Sequence, residues 1–180
     1  MPQKIDFLTP TTALVSEFFL ARPTSEFHER EVLRETGISK GSANRILRRL
    51  AALSILLRTK KGRMVFYRLN VGDPVVKQIK VLRNVWTLRP IVDELKESAR
   101  KLILFGSCAE GTDVAESDID ILILTDDKNA AKTKVSTFNG QSERPLAPVI
   151  LNAEEFAIMR KEDKPLFERI DRGIVLWAMA

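Results

Sequence analysis

Gly106-Ser107 and, after ten residues, Asp118-Ile119-Asp120 carry the residue types in this chain best suited to chemistry. A tight turn that opens a short helix offers unpaired backbone N–H groups to a phosphate. A pair of carboxylates beside it can hold the divalent ion that accompanies the phosphate. Alternate strand residues point the same way, so Asp118 and Asp120 can share one ion. The flanking apolar runs Leu102-Ile103-Leu104-Phe105 and Ile121-Leu122-Ile123-Leu124 read as two buried strands that fix both halves of the constellation. Phosphate and metal would then sit side by side.

These residues resemble a known signature. Leu104-Phe105-Gly106-Ser107 with Gly111, and Ser117-Asp118-Ile119-Asp120-Ile121-Leu122, are similar to the motifs of the nucleotidyltransferase superfamily with the DNA polymerase beta-like fold, in its small minimal branch. The resemblance covers residues 97–180. It implies that Gly106 and Ser107 cradle phosphates and that Asp118 and Asp120 are catalytic metal ligands. A lone Asp-x-Asp would mean little.

Three departures from the family pattern bear on activity. Members commonly carry basic residues directly after the serine and two positions later, where this chain has Cys108 and Glu110. They also supply a third carboxylate from a later strand, which ligates metal and can take the proton of an attacking hydroxyl. Here that strand reads Leu146-Ala147-Pro148-Val149-Ile150-Leu151 before Asn152-Ala153-Glu154-Glu155-Phe156, with Pro148 at the place of the third acid. No residue from Pro145 to Asn152 is acidic, and Glu143 is the nearest substitute.

Composition narrows the rest. The chain has 180 residues, 44% hydrophobic and 29% charged, enough for two small domains each with a core. No run is long enough to span a bilayer, and Met1 to Asp6 lack a signal-peptide pattern, so a cytoplasmic location with no membrane partner is expected. One cysteine and one histidine argue against a disulfide or a zinc site. Cys108 reads as a small semi-buried side chain, His28 as a surface or helix-cap residue, and Trp86 and Trp177 as packing residues.

Charge divides the chain in two. Residues 1–89 hold 17 Lys/Arg against 7 Asp/Glu, a net of +10, while residues 90–180 hold 12 against 17, a net of −5. Between Gly37 and Gly72 stand nine basic residues and no acid, a one-sign field that suits a polyanion such as double-stranded DNA. Within it, Ser39 is placed to cap a helix running to about Leu53 whose Ile46, Leu47, Leu50 and Leu53 face inward. Its other face presents Ser42, Asn44, Arg45, Arg48 and Arg49. A shorter helix, Glu29 to Thr36, precedes it and is ended by Gly37. After it, two strand-like runs, Ile55 to Arg58 and Met64 to Leu69, flank Thr59-Lys60-Lys61-Gly62-Arg63, a hairpin with a cationic tip.

Residues Phe27 to Leu69 resemble the winged helix-turn-helix domain of prokaryotic transcription regulators of the MarR and ArsR type. That resemblance implies DNA contacts from Ser42, Asn44, Arg45, Arg48, Arg49, Lys60, Lys61 and Arg63, and a homodimer on a two-fold site. The expected fold class is α+β: a winged helix-turn-helix domain over 1–74, a helical connector over 75–96, and a nucleotidyltransferase-like α/β domain with a mixed sheet over 97–180. Two functions stay open. One is a DNA-binding regulator whose C-terminal domain binds nucleotide and magnesium or a partner without catalysis. The other is an active transferase moving a nucleoside monophosphate to a hydroxyl acceptor. The minimal branch is often paired with a helical toxin-like protein, which adds an antitoxin reading of the second.

Overall fold

In the computed structural model, which describes residues 9–179, contacts divide the chain into two units, Met1–Val76 and Lys77–Ala180. The first unit begins with α1 (Pro10–Leu20), whose N-cap Thr9 accepts from the Thr12 amide and whose proline sits in the first turn, where its missing N–H costs nothing. β1 (Glu26–His28) leads into α2 (Glu29–Thr36). His28 and Glu31 form a reciprocal capping box at the start of α2, and Gly37, with φ of 68°, ends it. α3 (Lys40–Ala52) is capped by Ser39. β2 (Leu56–Lys61) and β3 (Met64–Leu69) close a hairpin.

The strand order is β1-β3-β2, antiparallel throughout. The three-residue β1 is too short to show a period in sequence, and it gives the hairpin a third strand. Val15, Phe19, Val32, Leu47, Leu50, Tyr67 and Leu69 are buried at 2% exposure or less, so the three helices and the sheet share one apolar centre.

The second unit is built on a mixed four-stranded sheet of order β6-β5-β4-β7. Its elements are α4 (Pro74–Thr87), in which the unit boundary falls, then α5 (Arg89–Leu95), β4 (Ala99–Leu104), α6 (Ser107–Glu110), β5 (Ile119–Thr125), α7 (Lys128–Asn139), β6 (Leu146–Leu151), α8 (Ala153–Glu162), α9 (Lys164–Asp171) and β7 (Ile174–Ala178). β5 and β6 are parallel and joined through α7, while β4 runs antiparallel to both β5 and β7. One face of the sheet, with Leu102, Leu104, Ile119, Ile121 and Ile123, packs on Leu88, Ile91, Leu95, Ala131 and Val135. The other, with Ile103 and Leu122, packs on Phe156, Met159, Leu166 and Ile170 of α8 and α9. Strands buried on both faces explain why β4 and β5 read as continuous apolar runs. Among the described residues no helix is long and apolar enough to cross a membrane.

Candidate functional site

The glycine-serine turn and the aspartates meet at one end of the second unit's sheet. β4 delivers the chain to Phe105, whose amide donates to the Asp120 carbonyl at 3.0 Å. Gly106 then turns with φ of +69°, a conformation that L side chains rarely adopt. A Cβ at this position would overlap Asp120 Oδ2 and stand 3.4 Å from Arg169 Nη2. The missing side chain is therefore the space in which the Asp120 carboxylate lies. α6 follows as a single turn starting at Ser107, with the Ala109 and Glu110 amides donating to the Gly106 carbonyl at 3.1 and 3.2 Å.

Asp120 is the second residue of β5 and half-buried, whereas Asp118 precedes the strand and is exposed. Burial pushes the Asp120 carboxyl above its ordinary 3.8, Arg169 pulls it back in part, and the neighbouring Asp118 charge raises it further. Arg169 Nη2 lies 3.5 Å from Asp120 Oδ2, and its guanidinium stands 5.7 Å from the centre of the Phe105 ring. Arg169 was not legible in sequence: it comes from α9, 49 residues beyond Asp120 in the chain, with no motif of its own.

The register of β5 and β6 corrects the reading of the third acid. Asp120 pairs with Ala147, and Pro148 pairs with Ile121. Paired residues of parallel strands share a face while successive residues alternate. Pro148 therefore lies on the side away from Asp120, and the place beside the carboxylate is held by Ala147. Either way β6 brings no acid, and Glu143 is exposed in the loop before it. Among the described residues no three His, Cys, Asp or Glu side chains gather into a metal-holding group.

Behind the turn lies a buried polar network that sequence reading missed. Asp113, 4% exposed, accepts from Asn84 Nδ2 at 3.1 Å and is ion-paired to Lys80 at 3.4 Å and to Arg144 at 3.2 Å. Lys80 Nζ also donates to the Asp113 carbonyl. Arg144 uses every guanidinium nitrogen: Nε donates to the Ser117 carbonyl at 3.2 Å, Nη1 to Asn84 Oδ1 at 3.2 Å and Nη2 to Cys108 Sγ at 3.0 Å. Asn84 Nδ2 also donates to the Cys108 carbonyl at 3.0 Å. Burial pushes the Cys108 thiol above its usual range, against the pull of Arg144. Gly111, with φ of +69°, leaves no room for a Cβ against the Lys77 carbonyl of α4. The loop that carries Asp118 is thus fastened at both ends.

In the first unit, Arg45, Arg48 and Arg49 are exposed along α3, and Lys60, Lys61 and Arg63 are exposed at the hairpin. Gly62 turns the hairpin at φ of 61°. Lys61 is ion-paired to Glu26 and stands 5.1 Å from the Phe66 ring centre. Ser42 is half-buried and its hydroxyl accepts from Ser39 Oγ at 3.0 Å. Asn44 is half-buried and donates from Nδ2 to Glu29 Oε2 at 2.9 Å, tying α3 to α2. Ser42, Arg45 and Arg49 line a cleft of about 360 Å³ with Thr9, Thr11 and Thr12.

Comparison with curated proteins finds no match. Two of the solved structures that resemble the chain are a regulator and a nucleotidyltransferase. One is the ferric uptake regulator from Francisella tularensis with iron, at 20% identity and a TM-score of 0.35, covering 41% of this chain and 61% of that one. The chain therefore spans about three fifths of that regulator's length. The other, from Sulfolobus solfataricus, is assigned as a nucleotidyltransferase, at 20% identity and a TM-score of 0.40, covering 59% of this chain and 91% of that one. Likenesses at these scores say nothing of what this chain does. The family model described as polymerase beta, nucleotidyltransferase matches residues 89–178, half of the chain and nearly all of the second unit's sheet and site, and the chain belongs to that family.

Proposed function

We propose that the chain is a DNA-binding regulator: residues 1–74 act as a winged helix-turn-helix domain, and the nucleotidyltransferase domain serves as a nucleotide-binding module without transferase activity. The observation that carries the first part is the arginine face of α3. Arg45, Arg48 and Arg49 are exposed on a helix whose opposite side is buried through Ala43, Ile46, Leu47 and Leu50. The segment from Gly37 to Gly72 contains nine basic residues and no acid. An amphipathic helix with cations outward and a cationic hairpin following it suits a major groove with flanking phosphates. In this reading Arg45, Arg48, Arg49, Lys60, Lys61 and Arg63 set affinity, and Ser42 and Asn44, on the N-terminal half of α3, stand where base edges are read.

The second part rests on the donor set at Asp120. Magnesium takes one or two protein carboxylates and completes its shell with phosphate oxygens and water, so Asp118 and Asp120 suffice for an ion that arrives with a nucleoside triphosphate. Such an ion would screen the phosphate charge. Gly106 lets the Asp120 carboxylate lie directly against the turn that opens α6, and a helix start is where backbone N–H groups can meet a phosphate. β6 brings no base beside Asp120, where Ala147 is its paired residue, and Cys108 and Glu110 replace the cations expected beside the phosphates. That shortage favours binding over transfer.

The test is fluorescence anisotropy of the full chain with mixed-sequence duplex DNA at several salt concentrations. Arg48→Ala should weaken binding on every sequence and lower the salt slope by about one unit. An unchanged affinity and slope for Arg48→Ala and Arg45→Ala together would refute the DNA-binding reading.

A further inference from the structure

Two arginines stand close to the glycine-serine turn, and the fold holds them differently. Arg144 is 17% exposed and gives every guanidinium nitrogen to a protein acceptor, so its donors are committed to the fold. Arg169 is 52% exposed, and among the described residues its one polar contact runs from Nη2 to Asp120 Oδ2 at 3.5 Å. Its Nε and Nη1 make no hydrogen bond there. A half-exposed guanidinium with most of its donor fork unused is the group best fitted to grip a phosphate.

The frame around Arg169 fixes it at the turn. Ile170, the next residue of α9, is 1% exposed and packs in the same core as Phe105 and Leu122. The Arg169 guanidinium stands 5.7 Å from the centre of the buried Phe105 ring. A Cβ at Gly173 would come within 2.5 Å of the Leu104 carbonyl oxygen, so the chain leaving α9 runs directly against β4. Nη2 of Arg169 consequently lies 3.4 Å from where a Gly106 Cβ would be. Other arginines of this unit are engaged differently: Arg100 pairs with Asp126 at the far end of β4, and Arg89 lies 4.9 Å from the ring centre of Trp86. Trp86, expected from sequence to pack in a core, is 66% exposed.

We propose that Arg169 is the phosphate-binding cation of this site, and that it gives up Asp120 for phosphate oxygens when a nucleotide binds with its divalent ion. The assignment rests on the nucleotide-binding reading above. It places a charge from α9 where Cys108 and Glu110 leave the turn without the two cations that usually follow the serine. The present contact suits such an exchange, since a half-exposed ion pair at 3.5 Å is weak and costs little to break. Asp120 would gain an ion as it loses the guanidinium, so neither charge is left without a partner.

Two titrations of the full chain test the proposal: ATP with magnesium by calorimetry, and manganese alone by electron paramagnetic resonance. Arg169→Ala should weaken ATP binding by roughly 10- to 100-fold, the usual worth of a hydrogen bond between charged groups. Arg169→Lys keeps the charge without the fork and should recover part of that loss. Manganese affinity should hold or increase in Arg169→Ala, because a competitor for Asp120 is gone. A side chain that merely braced the turn would lower both affinities together. Arg169→Gln takes the place of the alanine variant should circular dichroism show that the latter has lost its fold. ATP binding by the wild type that the neutral variant leaves unchanged, or a manganese affinity that falls with it, overturns the inference while the nucleotide reading stands. A wild type that binds no ATP removes that reading and the inference together.

Discussion

Gly106 and Asp120 form a single geometric unit, since the carboxylate fills the volume a Cβ would take. The cost falls on Asp120. Burial is the largest influence on its carboxyl, Arg169 offsets it in part, Asp118 adds repulsion, and the net effect raises the pKa above 3.8. A carboxyl raised on folding binds its proton more tightly in the native chain than in the unfolded one. Its contribution to stability is therefore complete below 3.8 and is lost as pH rises through the folded value. At neutral pH the ionised group is a liability of the folded state. Asp120→Asn should then melt at a higher temperature than the wild type at neutral pH in a chelating buffer, with the gap closing as pH falls below 3.8. Thermal melts across a pH series decide it. A variant that melts lower at neutral pH would mean that the 3.5 Å contact with Arg169 outweighs burial and repulsion together.

The elements around the site are held by charge as much as by apolar packing. Asp113 binds α4 through Lys80 and Asn84, and binds the segment before β6 through Arg144. All of these side chains are buried except Arg144, which is 17% exposed. Removing one partner of a buried pair leaves an uncompensated charge, which costs about 3–5 kcal/mol, whereas an exposed pair such as Arg100–Asp126 contributes about 1 kcal/mol or less. Asp113→Ala should accordingly destabilise the chain by about 3–5 kcal/mol in chemical denaturation, and Asp126→Ala should hardly register. Equal small losses would show that the network is wetter than its burial indicates. This network also marks where sequence reading ends. Gly106, Ser107, Asp118 and Asp120 could be read because they are neighbours in the chain, between strands whose apolar runs are unmistakable. Lys80 and Asn84 lie within a helical repeat, where polar residues ordinarily mean solvent, and their partners are about 30 to 60 residues away. α7 gave no pattern because only Ala131 and Val135 of its twelve residues are buried, leaving the Asp127 cap and Gly140 as its signals. Pro148 matches the third acid's place in the sequence pattern yet stands one position off Asp120, because only strand register decides which residue is beside it.

For the whole molecule, the proposed function would use the uneven charge of its halves, +10 over residues 1–89 and −5 over 90–180, to separate two kinds of anion binding. Duplex DNA should be held by a broad cationic field and depend steeply on salt. A nucleoside triphosphate would have to bind in a unit of negative net charge, so its affinity must come from local groups, namely the Gly106 turn, Arg169 and an ion on Asp118 and Asp120. If nucleotide adjusts DNA affinity, the coupling is a single free energy and must act equally in both directions. Calorimetric titration of the full chain with ATP and magnesium should give binding that Asp118→Ala and Asp120→Ala abolish. Saturating duplex should change that affinity by a factor of roughly 5 to 150, and saturating ATP should change DNA affinity by the same factor. Equal factors above one establish a nucleotide-responsive regulator. Binding of both ligands with factors of one means that the two units act independently, and no heat with ATP means that the second unit has kept the family's shape without its ligand.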